Sequence, residues 1–205
     1  MELLWSGPVD GIPLLLGHGA GAGMETRWMH DVCGLLADRG IRTVRFEFAY
    51  MAARRSGSRP PAPRADRVTG EFREAWDAAG RPALIGGKSF GGRVASMVAD
   101  ELGVAGLVCL GYPFHPPQKP GQLRTAHLLG MSTPALVCQG TRDPFGRRDE
   151  VPGYDLPSSI DVHWLEDGDH DLRPRKAASG RTFAQNLAEA ADAVAAFAAR
   201  VAPPA

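Results

Sequence analysis

Residues 84–95, LIGGKSFGGRVA, contain two overlapping motifs that share one serine. Gly87, Lys88 and Ser89 match the end of the phosphate-binding pattern G-x-x-x-x-G-K-[ST], in which the hydroxyl holds the magnesium of a bound nucleotide. Gly87, Ser89 and Gly91 match G-x-S-x-G, in which the hydroxyl attacks a carbonyl carbon. Ser89 therefore belongs either to a nucleotide-binding loop or to the nucleophile of a hydrolase.

The residues before Ser89 decide between these two functions. The phosphate-binding pattern needs its first glycine at position 82, where this chain has Pro82. The apolar run PALIGG (82–87) also leaves no room for a loop that could wrap a phosphate. A nucleophile elbow needs a strand that turns sharply into a helix, with small residues two before and two after the serine. Gly87 and Gly91 supply them, so the pattern disfavours a nucleotide-binding protein and favours a serine nucleophile.

A serine hydroxyl needs a neighbouring base to attack a carbonyl at neutral pH. Asp143 follows the apolar segment PALVCQG (134–140), and His170 lies in the loop after the last apolar segment. A histidine is a residue type that can take a serine proton, and an aspartate is one that can orient the imidazole. Two alternatives stay open: Asp143 could simply form a turn before Pro144, and His170 could be a solvated loop residue.

The reaction would also place negative charge on an oxygen, which needs fixed hydrogen-bond donors. The backbone N–H of Phe90, directly after the serine, is one expected donor. The backbone N–H of Ala20, in the glycine-rich segment GHGAGAG (17–23), is the other. His18 in the same segment is expected to be structural.

Apolar runs alternate with helical patterns along the whole chain. The predicted strands are residues 12–17, 41–48, 82–87, 105–111, 134–140 and 160–166. Continuous apolar strands that alternate with helices are typical of a parallel sheet covered on both faces. The sequence therefore predicts an α/β three-layer sandwich, with a mostly parallel sheet of about six to seven strands and helices on both faces, as a single domain over residues 1–205.

The composition excludes several classes of protein. Lys plus Arg and Asp plus Glu both number 23, so the zero net charge predicts no nucleic-acid or anionic-membrane partner. No signal peptide or membrane span is identified. The cysteines, Cys33, Cys109 and Cys138, are odd in number and far apart, which predicts neither a disulfide framework nor a zinc site. We expect a cytoplasmic protein without a metal or an organic cofactor.

The segments GHGAGAG, VRFEFAYM, GGKSFGGRVAS, QGTRDPFG and GDHDLRPRK together resemble the α/β-hydrolase superfamily over nearly the whole chain. The chain is similar to small, lidless members of the dienelactone-hydrolase-like kind, and to a poorly characterised group that includes a domain of a chromatin-modifying complex subunit. The resemblance implies a serine hydrolase that cleaves an ester, thioester or related acyl bond of a small molecule through an acyl-enzyme. It places Asp143 and His170 where the superfamily has its acid and base. The alternative is a non-catalytic domain that binds a partner protein or a ligand.

The stretch after Gly111 bears on the substrate cleft. Many hydrolases of this fold insert a lid here, but these 22 residues, 112–133, are too few for a large helical cap. We therefore expect an open cleft. Tyr112, Phe114 and His115 are candidates for its wall, with ordinary loop packing as the alternative.

Residues 51–64, MAARRSGSRPPAPR, are expected to form a loop because they are rich in arginine, proline and glycine. Arg54 and Arg55 in this loop are candidate substrate ligands. Arginine suits a carboxylate or a phosphate, so the expected acyl substrate could be anionic. A solvated arginine loop is the open alternative.

Overall fold

Seven strands form one sheet in the computed structural model, which describes residues 1–203. The strands are β1 (Leu3–Ser6), β2 (Ile12–Gly17), β3 (Ile41–Phe46), β4 (Leu84–Lys88), β5 (Gly106–Leu110), β6 (Ala135–Gly140) and β7 (Ile160–Leu165). Their spatial order is β1-β3-β2-β4-β5-β6-β7, with β1 antiparallel to β3 and all other pairs parallel. The last two residues of the predicted domain, 204–205, lie outside the described residues.

Helices cover both faces of this sheet. The α-helices are α1 (Arg27–Ala37), α2 (Ala49–Arg55), α3 (Thr69–Ala78), α4 (Phe90–Ser96), α5 (Ala99–Leu102), α6 (Lys176–Ser179) and α7 (Phe183–Val201), and short 3₁₀ helices span Ala65–Arg67 and Val151–Tyr154. Successive strand residues point to opposite faces. Leu15 accordingly packs in the cluster that includes Phe72 of α3, while Leu14 packs in the cluster that includes Leu36 of α1 and Val194 of α7. The predicted α/β three-layer fold is confirmed.

The six predicted strands are all present, and β1 was not predicted. Its four residues alternate little and are mostly half-buried at the edge of the sheet, so they carry a weak pattern. Strand β3 ends two residues before the predicted boundary at Phe48. There the backbone N–H of Phe48 turns away from the ladder and donates to His18 Nε2 at 3.1 Å.

One predicted loop is partly helical, and the helical segment after Ser89 is interrupted. The expected loop 51–64 is helical as far as Arg55, because Met51 is buried in the core and anchors this end of the segment. The helical segment after Ser89 breaks after Ser96, between α4 and α5. The Ser96 hydroxyl donates back to the Arg93 carbonyl at 2.8 Å, a local bond that competes with continuation of the helix.

Residues 111–134, between β5 and β6, contain neither a helix nor a strand. The predicted absence of a large cap is confirmed, and the carboxyl edge of the sheet at Ser89 is left open. No helix within residues 1–203 combines the length and apolar character needed to cross a bilayer.

Candidate active site

Ser89 forms the sharp turn between β4 and α4, with φ 49° and ψ −106°. Such a backbone is rare for a residue other than glycine and costs about 1–3 kcal/mol. The turn also presses β4 and α4 against β2. A Cβ atom on Gly91 would lie 2.2 Å from the Gly17 carbonyl oxygen, and one on Gly87 would lie 2.4 Å from the same oxygen. Contacts this short exclude a side chain, which explains why the glycine spacing accompanies a turn of this kind.

The structure brings Ser89, His170 and Asp143 together from three loops at the carboxyl edge of the sheet. His170 Nε2 lies 2.7 Å from Ser89 Oγ, and His170 Nδ1 lies 2.8 Å from Asp143 Oδ2. Both contacts are within hydrogen-bond range. A base is thus in contact with the hydroxyl, and a carboxylate fixes the opposite ring nitrogen. This arrangement can activate a serine as a nucleophile.

Asp143 is completely buried and is held by several donors. Its Oδ1 accepts from the Phe145 N–H at 2.8 Å, and its Oδ2 accepts from Gln139 Nε2 at 2.9 Å. The bond from the Phe145 N–H closes a turn, which is the alternative role given to Asp143 above. The same carboxylate therefore both forms the turn and contacts His170. The Tyr112 N–H in turn donates to Gln139 Oε1 at 2.7 Å. Hydrogen bonds of this kind compensate for burying a carboxylate.

His170 is held by two residues that the sequence did not single out as contacts. The Phe145 ring lies 4.2 Å from the imidazole, centroid to centroid. Lys88 Nζ donates to the His170 carbonyl at 2.5 Å and lies 3.3 Å from Asp171 Oδ1. Burial lowers the pKa of Lys88, and the Asp171 carboxylate opposes that shift. Position 88 carried no signal except that it adjoins Ser89.

The two candidate oxyanion donors lie beside the serine. Phe90 begins α4, so its N–H has no acceptor within the helix. The Ala20 N–H makes no hydrogen bond within residues 1–203, and Ala20 lines the same clefts as Ser89. Both N–H groups are therefore available to an incoming oxygen. Their assignment as an oxyanion hole stays a prediction.

Side-chain hydrogen bonds hold the loop that carries Ala20. The Ala20 carbonyl accepts from Tyr50 Oη at 3.2 Å and from Arg54 Nη1 at 3.3 Å. His18 is fully buried and bonds the backbone at Gly19 and Phe48. Burial lowers the pKa of His18 to about 4, so it is neutral at pH 7. His18 has the structural role expected from the sequence.

Two clefts meet at Ser89. The first, here called the apolar cleft, has a volume of about 310 Å³. Its lining includes Trp28, Met29, Lys88, His170 and Asp171. The second, here called the cationic cleft, has a volume of about 400 Å³. Its lining includes Ala62, Arg64, Phe90, Arg93, Pro113 and Arg124. Ser89, Ala20 and Phe145 line both clefts.

The prediction that Tyr112, Phe114 and His115 wall the cleft is wrong. All three are at most 1% exposed and line neither cleft. The Phe114 and Tyr112 rings pack together at 4.8 Å, and His115 lies 3.3 Å from Glu150 Oε2. The aromatic side chains point into the core because that burial removes apolar surface from water. Of residues 112–115, only Pro113 lines one of the two clefts.

Arg54 and Arg55 also lie away from the two clefts. Arg54 donates to the carbonyls of Pro60 and Ala20, so it supports the Ala20 loop. Arg55 pairs with three carboxylates, those of Glu2, Glu25 and Glu47. Their guanidinium groups are already satisfied, and the structure corrects their predicted contact with substrate. The arginines that do line a cleft beside Ser89 are Arg64, Arg93 and Arg124.

Known proteins resemble this chain in family and in fold. A family model described as alpha/beta hydrolase domain matches residues 10–199. A dienelactone hydrolase from Anabaena variabilis superposes with a TM-score of 0.72 at 16% identity, over 98% of this chain and 93% of the other. A thermophilic esterase from Thermogutta terrifontis gives 0.71 at 15% identity, over 98% and 93%. A serine hydrolase without a lid from Xanthomonas campestris gives 0.70 at 17% identity, over 97% and 88%.

Proposed function

The chain belongs to the alpha/beta hydrolase domain family, and we propose that it is a serine hydrolase that cleaves an ester, thioester or related acyl bond of a small molecule. One observation carries the proposal. Ser89 Oγ, His170 and the buried Asp143 form a continuous series of contacts of 2.7 and 2.8 Å at the junction of two open clefts. The esterase and dienelactone hydrolase of similar fold also act on acyl bonds, which supports the choice of substrate class.

The proposed reaction proceeds through an acyl-enzyme. Ser89 Oγ attacks the carbonyl carbon while its proton passes to His170 Nε2. The N–H groups of Ala20 and Phe90 stabilise the oxyanion that forms. The bond to the leaving group then breaks, and His170 returns the proton to that group. Water, deprotonated by His170, attacks the acyl-enzyme and releases the acid and free Ser89.

A fluorophosphonate probe tests the activated serine directly. Ser89 Oγ would form a bond to phosphorus as fluoride leaves, and intact and peptide mass spectrometry would locate the adduct. We expect one adduct, on Ser89, that is lost in Ser89→Ala. Labelling of His170→Ala should be slower by about 10⁴-fold or more, since the base is removed. Ser58→Ala is the matched control, because Ser58 is an exposed serine in a loop outside both clefts.

Two results would contradict the proposal. The first is an adduct that persists in Ser89→Ala. The second is the absence of any adduct on protein that unfolds cooperatively and is therefore well folded. The second result would favour the alternative, a non-catalytic domain that binds a ligand or a partner protein, and pull-down experiments would then follow.

A further inference from the structure

We propose that the cationic cleft binds a carboxylate carried by the acyl part of the substrate, with Arg93 and Arg124 as its ligands. This inference rests on the proposed serine hydrolase function. It gives the substrate class as an ester or thioester whose acyl chain ends in an acid group. No motif in the sequence assigns either arginine to a site.

Both arginines are held close to the nucleophile by their backbones. Arg93 lies one helical turn after Ser89, and its N–H donates to the Ser89 carbonyl at 3.0 Å. Arg124 comes from the segment between β5 and β6, where its N–H donates to Phe114 O at 2.7 Å and its carbonyl accepts from Tyr112 Oη at 3.3 Å. Two separate elements thus present guanidinium groups to one cleft. Anchoring of this kind reduces the cost of ordering the site when a ligand binds.

The charges of these two side chains are not compensated. Within residues 1–203, neither guanidinium forms an ion pair or a side-chain hydrogen bond, and Arg93 Nε is buried without a partner. Burial and the nearby Arg93 charge lower the pKa of Arg124. Partly buried charges are normally paired, because their desolvation is costly. A bound anion would supply the missing partner.

The other cleft-lining groups do not supply that negative charge. Arg64 is already paired with Asp66, at 3.1 Å. Burial, with the nearby Arg93 charge, lowers the pKa of His127 to about 4, so that this neighbour of Arg93 is neutral at pH 7. The guanidinium forks of Arg93 and Arg124 suit the planar geometry of a carboxylate.

The position of His170 indicates which half of the substrate carries the acid. His170 lines the apolar cleft but not the cationic cleft. Because His170 must return a proton to the leaving group, that group belongs in the apolar cleft. The acyl chain then extends from Ser89 past Phe90 into the cationic cleft.

Matched esters of one length test the inference. The first probe is 4-methylumbelliferyl hydrogen adipate, whose acyl chain ends in a carboxylate. The second is the corresponding adipamate, whose chain ends in a primary amide of nearly the same shape. We expect kcat/KM at pH 7 to be about tenfold or more higher for the carboxylate, as a charged hydrogen bond typically provides. A third and fourth probe, the hexanoate esters of 4-hydroxybenzoic acid and of 4-hydroxybenzamide, move the same pair of groups to the leaving group.

Arginine variants connect that preference to the cleft. Arg93→Gln and Arg124→Gln should each reduce the carboxylate-to-amide ratio of kcat/KM by about tenfold. The two variants lie on different elements, so a folding defect in one leaves the other as a test. Arg200→Gln is the control and should keep the wild-type ratio. Arg200, on α7, is paired with Asp161 of β7 and lies outside both clefts. Equal rates for adipate and adipamate, a ratio that neither variant changes, or a preference for the carboxylate on the leaving group would each overturn the inference.

Binding to Ser89→Ala protein separates this inference from the proposed function. Monomethyl adipate serves as the probe, with affinity measured by calorimetry, and Arg124→Gln in the Ser89→Ala background should weaken it by about tenfold. If no ester is cleaved but the arginine-dependent binding is observed, the proposed function fails and the anion site stands. If esters are cleaved but neither binding nor rate depends on the arginines, this inference fails alone.

Discussion

The two clefts share Ser89, Ala20 and Phe145, but they differ in whether the charged side chains that line them are paired. In the apolar cleft the charged groups are paired with each other, as Lys88 is with Asp171. Arg93 and Arg124 both line the cationic cleft, and no carboxylate within residues 1–203 pairs with either. The formal net charge of zero hides this difference. A ligand site is therefore indicated by which charges lack partners and not by how many charges the chain has.

His127, near Arg93 of the cationic cleft, should make the free energy of unfolding sensitive to acid. His127 Nε2 lies 2.9 Å from Ser96 Oγ and 3.3 Å from Tyr112 Oη, and burial, then the Arg93 charge, lowers its pKa from 6.5 to about 4. A histidine whose pKa is lowered by folding contributes its full stability above pH 6.5 and loses it as the pH falls from 6.5 toward 4. The full shift corresponds to about 3 kcal/mol at 1.36 kcal/mol per pKa unit, and because the His127 side chain is only partly buried, we expect about half of that loss.

Chemical denaturation at pH 7 and pH 4.5 measures this loss. His127→Gln, which cannot take up a proton, should lose about 1–2 kcal/mol less of its free energy of unfolding between the two pH values than the wild type. His18 has the same lowered pKa, so the variant still loses stability in acid. His30→Gln, at an exposed position on α1, is the control and should follow the wild type. If the wild type and His127→Gln lost equal free energy, His127 would not be a buried neutral group.

A second prediction concerns Lys88, which lines the apolar cleft and contacts the proposed base, His170. Lys88 Nζ holds the His170 carbonyl and lies 5.4 Å from the centroid of the Trp28 ring. Lys88→Met keeps most of the side-chain volume but removes this hydrogen bond and a buried charge. We expect kcat to fall by about 30-fold because the imidazole loses its fixed position, as small displacements reduce rates strongly. The stability should be retained or raised, because a buried charge has been removed and the Asp171 carboxylate left behind is mostly exposed to solvent.

Comparing the changes in kcat, KM and stability tests whether Lys88 is a positioning residue. We expect most of the change in kcat, little in KM, and a midpoint of urea unfolding no lower than that of the wild type. Lys119→Met replaces an exposed lysine outside both clefts and should leave all three quantities unchanged. A large fall in the unfolding midpoint of Lys88→Met, in step with kcat, would show instead that Lys88 acts only through the fold.

Ser89 was predictable because the glycines around it carry a local constraint, and Asp143 and His170 were predictable from the resemblance. Gly87 and Gly91 are required by backbone contacts, and the chain order of acid and base follows from the resemblance. Periodicity likewise gave the strands of the parallel sheet, since buried strands form long apolar runs. The short edge strand Leu3–Ser6 has no comparable pattern.

Side-chain direction was not predictable in the same way. Tyr112 and Phe114 follow a strand at the correct edge of the sheet, but no periodic pattern fixes whether a loop side chain points inward or outward. The sequence likewise does not show which arginine side chains find partners, as Arg54 and Arg93 illustrate. The arginine-rich loop drew attention by composition, whereas the partners of the Arg54 guanidinium are backbone carbonyls 6 and 34 residues away in sequence. Only the packed structure shows that Arg93 Nε lacks a partner.

The shape of the apolar cleft leads to the smallest expected effect. Trp28 lines this cleft, and its Nε1 donates to the Asp171 carbonyl at 3.0 Å. If leaving groups lie against this ring, a hexyl ester should react faster than an ethyl ester of the same acid. Four further methylenes are worth at most about 3 kcal/mol, at about 0.8 kcal/mol each when fully buried. Trp28→Ala should reduce the hexyl-to-ethyl ratio of kcat/KM by about tenfold, which corresponds to partial burial.

The same ratio separates the two clefts when it is measured in both sets of variants. Trp5→Ala, on the exposed edge strand, is the control for loss of a tryptophan and should leave the hexyl-to-ethyl ratio unchanged. Arg124→Gln should also leave that ratio unchanged while it reduces the carboxylate-to-amide ratio, and Trp28→Ala should do the reverse. Because Ser89 and Ala20 line both clefts, independent effects would show that selectivity lies in the residues that the clefts do not share. A change of both ratios in both variants would mean that the clefts act as one site, and the assignment of the leaving group to the apolar side would be wrong.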